Sequence, residues 1–204
     1  MNKIFVAGID TNVGKTIVAA ILTEALKADY WKPVQAGDLH NTDTMRVKSL
    51  ISNTVSVFHP ESYRLDIPAS PHVAAARKGI EIELDKFIIP QTNNTLIIEG
   101  AGGLMSPLNN NAFNIDLIQK LDASVILVSR NYLGSINHTL LSALALRQYN
   151  IKVKGIIFNG EEMEGTESII LHHTGYKLLG RIEEEETIDK NMVSRYAATI
   201  NICF

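Results

Sequence analysis

Residues 1–204, 46% of them hydrophobic and 20% charged, are enough to bury a sizeable core, and we expect a single domain instead of two. The net charge of −3 and the dispersed 19 lysines and arginines disfavour nucleic acid as a partner, and the first apolar run ends at Asp10, too early for a membrane span. The only cysteine, Cys203, excludes an intrachain disulfide, so we expect a protein of the reducing cytoplasm without a membrane partner.

Short apolar runs typical of buried parallel strands recur along the chain. They cover residues 4–7, 30–32, 96–99, 125–129, 155–159 and 177–180. Helical patterns lie between or after them, at residues 16–28, 42–50, 72–78, 115–121, 136–149 and 164–172. This alternation predicts an α/β fold, a doubly wound and mostly parallel sheet with helices on both faces. Ligands of such sheets bind beyond the carboxyl ends of the strands.

A glycine loop at residues 8–16 follows the first strand and precedes a helix. In a phosphate-binding loop, backbone N–H groups surround phosphate oxygens, a lysine reaches the terminal phosphates and a hydroxyl binds Mg²⁺. The pattern therefore predicts a P-loop NTPase-like sheet and a nucleoside triphosphate site, with Lys15 exposed in the loop. Five residues separate Gly8 from Gly14 where the common pattern has four. A strand-to-helix turn with a capping threonine is the alternative.

Three charged side chains lie at or after other predicted strands. Lys32 alone is typical of a surface lysine whose stem covers apolar surface, and Asp43 is typical of a helix first turn, where it stabilises the dipole. Glu99 would be costly to bury unpaired, and pairing with a structural lysine or arginine is the alternative to a ligand role. With Thr16, these two carboxylates supply the oxygen ligands that Mg²⁺ prefers.

Later loops offer further polar groups. Ser135 is a candidate N-cap of a helix whose free amides suit a carboxylate. Asn159 suits an adenine edge, with a turn-forming Asn-Gly pair as the alternative. We expect the acidic run at residues 183–186 to be a solvated turn. The helix at residues 136–149 has more apolar positions than one sheet-facing stripe needs, which favours a partner subunit over burial within one subunit.

Five motifs, taken together and in this order, closely resemble the dethiobiotin synthetase family. They are residues 8–16, 32–37, 70–72, 99–103 and 133–138. The resemblance implies an ATP- and Mg²⁺-dependent cyclo-ligase of biotin biosynthesis, which joins CO₂ to 7,8-diaminononanoate and gives dethiobiotin, ADP and phosphate. It also implies a homodimer. A carbamate and a carbamic-phosphoric anhydride are the implied intermediates.

The resemblance also implies roles for particular residues. Catalytic roles fall to Lys15, Lys32 and Thr11, the last as a hydrogen-bond partner of the carbamate. The implied nucleotide contacts are Asn12, Val13, Gly14, Lys15, Thr16, Asp43, Glu99, Gly100, Ala101, Gly102 and Asn159, and the implied metal ligands are Thr16, Asp43 and Glu99. The implied diamine site comprises Thr11, Lys32, Ala36, Gly102, Gly103, Gly134, Ser135, Ile136 and Asn137, the last four acting across the dimer interface.

Two departures from the family pattern bear on the site. Ala36 stands where the family usually has a hydroxyl near the carbamate, and we expect Gln35, another neighbour or water to replace it if the hydrogen bond is made at all. Glu183 follows Ile182 where the family commonly has proline, which leaves nucleotide contacts there open. Two other classes remain as alternatives: a small-molecule kinase, which would need an arginine-rich lid, and a partition-type ATPase switch, which usually carries an extra lysine early in the loop.

Overall fold

The computed structural model describes residues 2–202, and Cys203 lies outside the described residues. The strands are β1 (Lys3–Gly8), β2 (Asp29–Trp31), β3 (Val34–Ala36), β4 (Phe58–His59), β5 (Tyr63–Leu65), β6 (Leu96–Gly103), β7 (Ser124–Arg130), β8 (Val153–Asn159) and β9 (Leu178–Ile182). The helices are α1 (Lys15–Leu26), α2 (Asp43–Leu50), α3 (Pro71–Ala76), α4 (Asn114–Leu121), α5 (Ser135–Gln148), α6 (Thr166–Thr174) and α7 (Lys190–Thr199), with a short 3-10 helix at Leu84–Lys86.

Seven strands form one parallel sheet in the order β4-β2-β6-β1-β7-β8-β9, and β3 and β5 form a separate parallel pair. The chain moves from β1 to β2 in one direction and from β6 through β7 and β8 to β9 in the other. Right-handed crossovers in opposite directions place helices on opposite faces, so α1 covers one face and α4, α5 and α6 cover the other. The predicted doubly wound fold is confirmed. Its topological switch point lies beside β1, whose end carries the glycine loop.

The core is built from the continuous apolar runs of the central strands. Ile4, Phe5 and Val6 of β1 are at most 1% exposed, and residues 96–98 and 125–128 are equally buried. Such runs without polar alternation require helices on both faces of the sheet. Helix α1 buries residues 18–23 because it packs against α2 and α7 as well as the sheet. This packing holds the loop before α1 in a fixed position.

Several elements differ from the sequence prediction. The short strands β3, β4 and β5 were not predicted, because each has only two or three residues and no clear alternation. Helix α7 was missed because its sequence is largely polar and it buries only Met192 and Val193 among its residues. Residues 100–103, predicted as a loop, continue β6, and Gly103 pairs with Gly8 of β1. The other boundaries shift by a few residues.

Within the part of the chain described, residues 2–202, no helix combines the length and the hydrophobicity needed to cross a bilayer.

Candidate active site

The glycine loop forms a tight turn between β1 and α1. Asn12 and Gly14 have positive φ angles of 58° and 95°. A Cβ atom at Gly14 would lie 2.3 Å from the Asn159 Nδ2 atom, so this position requires glycine for both its conformation and its space. Gly14 is also the N-cap of α1. The loop therefore directs backbone N–H groups and the positive end of a helix to one point, as an anion site requires.

Lys15 is buried, and the prediction of an exposed loop lysine is wrong. Its side chain folds back into the loop, where Nζ donates a hydrogen bond of 2.8 Å to the Asp10 carbonyl. Burial and the nearby Lys32 lower the pKa of Lys15 to about 8, against the opposing effect of Glu99, Asp43 and Asp10. The charge on Lys15 is thus influenced by Lys32 and by the carboxylates of Glu99, Asp43 and Asp10.

Thr16, Lys32, Asp43 and Glu99 meet at the carboxyl ends of β1, β2 and β6. Thr16 Oγ1 lies 2.8 Å from Glu99 Oε1 and 3.2 Å from Asp43 Oδ1. Lys32 Nζ lies 2.8 Å from Asp43 Oδ2 and 3.0 Å from Glu99 Oε1. Lys32 is 4% exposed and Glu99 1%, which excludes the surface-lysine interpretation. Glu99 does pair with a lysine, as the alternative interpretation held. The same cluster also contains Thr16 and Asp43, the other candidate Mg²⁺ ligands.

The charges of this cluster support one another. Burial alone would lower the pKa of Lys32, but Glu99 and Asp43 outweigh it and raise that pKa. Burial would likewise raise the pKa of Asp43, yet Lys32 and the hydrogen bonds from Lys32 and Thr16 lower it. Lys32 is therefore an ammonium ion and Asp43 a carboxylate at neutral pH, held in a nearly dry environment where electrostatic interactions are strong.

The donor set fits Mg²⁺. A hard cation takes oxygen ligands and usually keeps several waters and phosphate oxygens, so two carboxylates and one hydroxyl are a sufficient protein contribution. Thr16, Asp43 and Glu99 supply these three groups. The Asp43 and Glu99 carboxylates both lie within hydrogen-bond distance of the Thr16 hydroxyl. Across residues 2–202, no group of three or more histidine, cysteine, aspartate or glutamate side chains is arranged to hold a metal ion.

The glycine-rich end of β6 lies beside the loop. Lys32 Nζ donates to the Gly100 carbonyl at 3.0 Å. Gly102 has a φ of 80°, and a Cβ atom there would lie 2.3 Å from Ser106 Oγ and 3.6 Å from Thr11 Oγ1. Thr11 and Lys32 thus both lie beside the glycine-rich end of β6.

Two side chains that the sequence did not single out hold this glycine-rich strand. Asn114, the first residue of α4, donates from Nδ2 to the Ala101 carbonyl and, at 2.9 Å, to the Gly103 carbonyl. Ser106 Oγ accepts a 2.9 Å hydrogen bond from the Gly103 N–H group. These contacts explain why residues 100–103 are an ordered strand end and not a flexible loop.

Gln35, one of the alternatives for replacing the hydroxyl that Ala36 lacks, is engaged in other hydrogen bonds. Its Nε2 donates to the Gly37 carbonyl at 3.0 Å, and its Oε1 accepts from the Asp43 N–H group at 3.1 Å. The Gln35 side chain is 5% exposed and both ends of its amide are engaged. Gln35 instead fixes the start of α2, and with it the carboxylate of Asp43.

Asn159 connects the glycine loop to a neighbouring cavity. Its Nδ2 donates to the Val13 carbonyl at 2.9 Å, at the end of β8. A cavity of about 320 Å³ opens beside it, and its lining includes Asn12, Gly14, Ile17, Arg130, Asn159, Gly160, Ile182, Glu183, Glu184 and Glu185. A cavity that shares its wall with a phosphate loop is suitably located for the base of a bound nucleotide.

The segment before α5 differs from its predicted form. Gly134, with a φ of 107°, is the N-cap, and Ser135 is the first residue of the helix, so the prediction of Ser135 as N-cap is wrong. Ser135 Oγ is buried without a hydrogen-bond partner, whereas Ile136 and Asn137 are exposed. Within residues 2–202, no hydrogen bond joins this segment to Lys32, Ala36 or Gly102.

Sequence reasoning also missed Tyr30. Its ring is fully buried in β2, and its hydroxyl donates a 2.7 Å hydrogen bond to Glu99 Oε2. Burial and the Glu99 carboxylate raise the pKa of Tyr30 well above its usual range, so the hydroxyl keeps its proton. A buried tyrosine needs a partner for its hydroxyl, and this was the available signal.

The chain is similar to known proteins over nearly its whole length. The sequence model of a family described as AAA domain matches residues 2–192. The ATP-dependent dethiobiotin synthetase BioD of Cytophaga hutchinsonii is 54% identical over 98% of this chain and 97% of its own length. The corresponding protein of Christiangramia forsetii is 54% identical over 95% and 93%, and that of Chlamydia pneumoniae 43% over 97% and 88%.

Solved structures resemble the fold at low identity. The cell division ATPase MinD of Pyrococcus furiosus has a TM-score of 0.57 at 13% identity and covers 98% of both chains. A ParA family ATPase of Chlorobium tepidum has a TM-score of 0.56 at 11% identity, covering 98% of this chain and 91% of its own. These likenesses concern the P-loop NTPase-like fold alone, whereas the curated relatives span the whole site at much higher identity. The resemblance seen in the loops is confirmed, and the chain belongs to the family of ATP-dependent dethiobiotin synthetases.

Proposed function

We propose that the chain closes the ureido ring of dethiobiotin from 7,8-diaminononanoate and CO₂, with conversion of ATP to ADP and phosphate. The observation that carries this proposal is the buried Lys32 ammonium, held between Asp43 and Glu99 and directed at Gly100 beside the glycine loop. A plain nucleotide site does not need a second buried lysine there. A reaction that joins an anionic carbamate to a phosphoryl group does, because both are negatively charged.

The reaction has three steps. One amine of the substrate attacks CO₂ and loses a proton, giving a carbamate. A carbamate oxygen attacks the γ-phosphorus of ATP, the bond to the β-phosphate oxygen breaks, and ADP leaves behind a carbamic-phosphoric anhydride. The second amine then attacks the carbonyl carbon and loses a proton, phosphate leaves with the electron pair of the C–O bond, and the ring closes.

The residues of the glycine loop are suited to the second step. Lys15 and the N–H groups of residues 12–16 stabilise the charge that develops on the transferring phosphoryl group. Lys32 neutralises the carbamate and the same phosphoryl oxygens, which otherwise repel each other. Thr11 donates a hydrogen bond from its hydroxyl group to the carbamate. Gly102 and Gly103 leave room for the substrate to approach the backbone. Ala36 lies at the end of β3 beside this space and contributes only apolar contact.

Thr16, Asp43 and Glu99 are the residues that would hold Mg²⁺. When bound, the ion neutralises charge on the β- and γ-phosphates during phosphoryl transfer. Tyr30 and Lys32 orient the Glu99 carboxylate, and Gln35 orients Asp43 through its backbone N–H group. Asn159 and the cavity next to it receive the adenine.

We further propose that residues 1–204 act as one domain in a cytoplasmic homodimer. Residues 134–137 of one subunit then close the diamine site of the other through backbone N–H groups at the start of α5, among which that of Ser135 already donates to the Tyr132 carbonyl. The apolar face of α5 supports this assembly, because Leu141 and Leu144 are 55% and 57% exposed.

Coupling between substrates tests the proposed reaction. We expect ADP release to require both the diamine and bicarbonate, and ¹³C from labelled bicarbonate to appear in dethiobiotin by mass spectrometry. Lys15→Ala should lose at least a hundredfold in rate, by analogy with removal of an oxyanion donor, which costs about 10²–10³ in kcat. ADP release that is independent of the diamine would instead indicate an ATPase switch, and a phosphorylated diamine without ring closure would indicate a kinase.

A further inference from the structure

The segment that follows β9 forms one wall of the cavity beside the glycine loop. Glu183, Glu184 and Glu185 line this cavity together with Asn159 and Gly160 from the end of β8. Glu184 and Glu185 also line a second cavity, of about 530 Å³. Glu183 and Glu184 are exposed, so the position of this segment depends on the polar contacts of its side chains.

Each of the three glutamates pairs with a different arginine. Arg181 Nη1 lies 3.6 Å from Glu183 Oε1, Arg130 Nη2 lies 3.2 Å from Glu184 Oε1, and Arg195 Nη2 lies 2.6 Å from Glu185 Oε1. These arginines come from β9, β7 and α7, three elements that surround the segment. The acidic run is largely solvated, as predicted, and its first three side chains are also held by ion pairs.

Two of the three contacts are reinforced by neighbours. Arg181 also pairs with Glu162 and Glu167 at 2.8 and 2.7 Å, so its guanidinium group is fixed by α6 and the loop before it. Tyr196 Oη accepts from the Glu183 N–H group at 3.1 Å and donates to Glu185 Oε1 at 2.5 Å. The two ends of the segment are consequently anchored, and its middle residue, Glu184, depends on Arg130.

The Arg130–Glu184 pair lies next to the turn that ends β8. A Cβ atom on Gly160 would be 4.0 Å from both Arg130 Cγ and Glu184 Oε1. The pair therefore joins the acidic segment to the side of the cavity that carries Asn159. Its side chains are 46% and 63% exposed, so it contributes little to folding by itself. Its effect is on the position of the wall.

We propose that Arg130 is a positioning residue for the nucleotide base: through Glu184 it holds the wall at residues 183–185 against Asn159 and Gly160. The inference rests on the proposed ATP site, in which the phosphates occupy the glycine loop and the base enters this cavity. Because the ion pair already orders this wall in the free protein, less conformational entropy is lost when the base binds. The phosphate contacts, which come from residues 12–16, do not depend on the pair.

Binding of ATP and of inorganic tripolyphosphate, measured by titration calorimetry at one Mg²⁺ concentration, tests this role. Arg130→Gln and Glu184→Gln should each raise the Kd of ATP by about twofold to fivefold, the range of a partly exposed ion pair, and leave the Kd of tripolyphosphate unchanged. The swapped double variant Arg130→Glu/Glu184→Arg should restore ATP binding to near the wild-type value. The matched control is Lys86→Glu/Glu83→Lys, which reverses an exposed 2.5 Å ion pair whose residues do not line this cavity.

Three results would overturn the inference: an unchanged Kd of ATP in both single variants, an equal loss for tripolyphosphate, or a swapped variant that remains as weak as Arg130→Gln. The last result would mean that Arg130 contacts the nucleotide directly. The proposed function fails separately, if the wild-type protein binds ATP but forms no dethiobiotin.

Discussion

Lys32 is buried, although lysine side chains are rarely found in protein interiors. Two carboxylates, the Gly100 carbonyl and the surrounding hydrogen bonds offset the loss of hydration of its ammonium group. Breaking a buried pair by removing one partner is strongly destabilising, because the remaining charge stays unpaired. A loss of activity in a Lys32 variant therefore has two sources, and they have to be separated.

Lys32→Met should lower kcat by at least a hundredfold while the Kd of an ATP analogue changes by less than about fivefold, since the lysine acts mainly in the transition state. It should also lower the free energy of unfolding by about 3 kcal/mol. The double variant Lys32→Met/Glu99→Gln removes the unpaired charge and should regain stability without regaining activity. Calorimetry, urea unfolding and steady-state kinetics measure these quantities. Should the Kd rise in step with the loss of kcat, Lys32 would be a nucleotide anchor instead.

The proposed metal ligands predict a shift in the Mg²⁺ requirement. Glu99→Gln and Asp43→Asn keep the size of each side chain and remove its charge, so half-maximal activity should need at least tenfold more Mg²⁺ in each variant. Asp85→Asn is a suitable control, because Asp85 has a 94% exposed side chain that pairs with Lys120 on the surface. A Mg²⁺ titration that both ligand variants leave unchanged would disprove the site.

The residues that sequence reasoning found and those it missed differ in one physical respect. Lys32 and Glu99 lie at predicted strand ends, and Thr16 starts the helix after the glycine loop. A parallel sheet brings such positions together whatever the details of packing. Tyr30 and Gln35 act through partners far along the chain or through backbone groups. Their roles depend on rotamers and on tertiary contacts that no local pattern encodes.

At the scale of elements, the glycine-rich end of β6 depends on α4. Its four residues, 100–103, have little side-chain material of their own, and glycine has the largest entropy to lose on ordering. Asn114 holds two of their carbonyl groups. The sequence predicted a flexible loop here because small residues are typical of loops, and the contacts with Asn114 are not visible in the local sequence. Helix α7 was missed for the same reason, because its sequence is largely polar. It is stabilised by the Asp189 side chain, which accepts a hydrogen bond from the Met192 N–H group, and by packing on α1.

Asn114→Ala should therefore affect both stability and the substrate site. It leaves the carbonyls of Ala101 and Gly103 without their partner, and we expect a loss of about 1–3 kcal/mol in the free energy of unfolding. The KM of the diamine should rise severalfold and the Kd of ATP should change little. Asn94→Ala, which removes a comparable amide contact to the Lys27 carbonyl, is the control that should lower stability without moving the KM. An unchanged KM in Asn114→Ala would show that the strand end keeps its shape without α4.

At the scale of the whole molecule, the sheet collects most of the proposed chemistry at one switch point. Residues of the glycine loop, Lys32 and Glu99 all come from strands adjacent to β1 or one place removed. The start of α5 follows β7, on the other side of β1, and its exposed Gly134 and Asn137 make no hydrogen bond to the Lys32 cluster. The doubly wound, mostly parallel sheet was predictable from the alternation of patterns, whereas the order of its strands was not. The proposed dimer rests on surplus apolar surface, and the sequence of one chain does not define how two subunits would be arranged.

The outer surface of α5 favours such an arrangement. Leu133 is 96% exposed, and Ile136, Leu141 and Leu144 are 36%, 55% and 57% exposed. These apolar side chains lie along the helix that begins at the proposed carboxylate site. A specific twofold interface buries roughly 1,200–2,000 Å² in total, so α5 must contribute together with neighbouring surface.

We expect a dimeric mass by light scattering at micromolar concentration, and a monomeric mass for Leu141→Glu/Leu144→Glu, because a charge at each position would have to be buried unpaired. Two inactive variants test the shared site: Lys15→Ala, and Gly134→Trp, in which a bulky side chain also strains the positive φ of 107°. If residues 134–137 serve the partner's glycine loop, a mixed dimer has one intact site, and random exchange should restore roughly a quarter of the wild-type activity per subunit. Subunit exchange can be verified independently by mass spectrometry of isotope-labelled protein. No recovery after verified exchange would assign the segment to its own subunit's site, and a monomeric wild-type mass would refute the dimer itself.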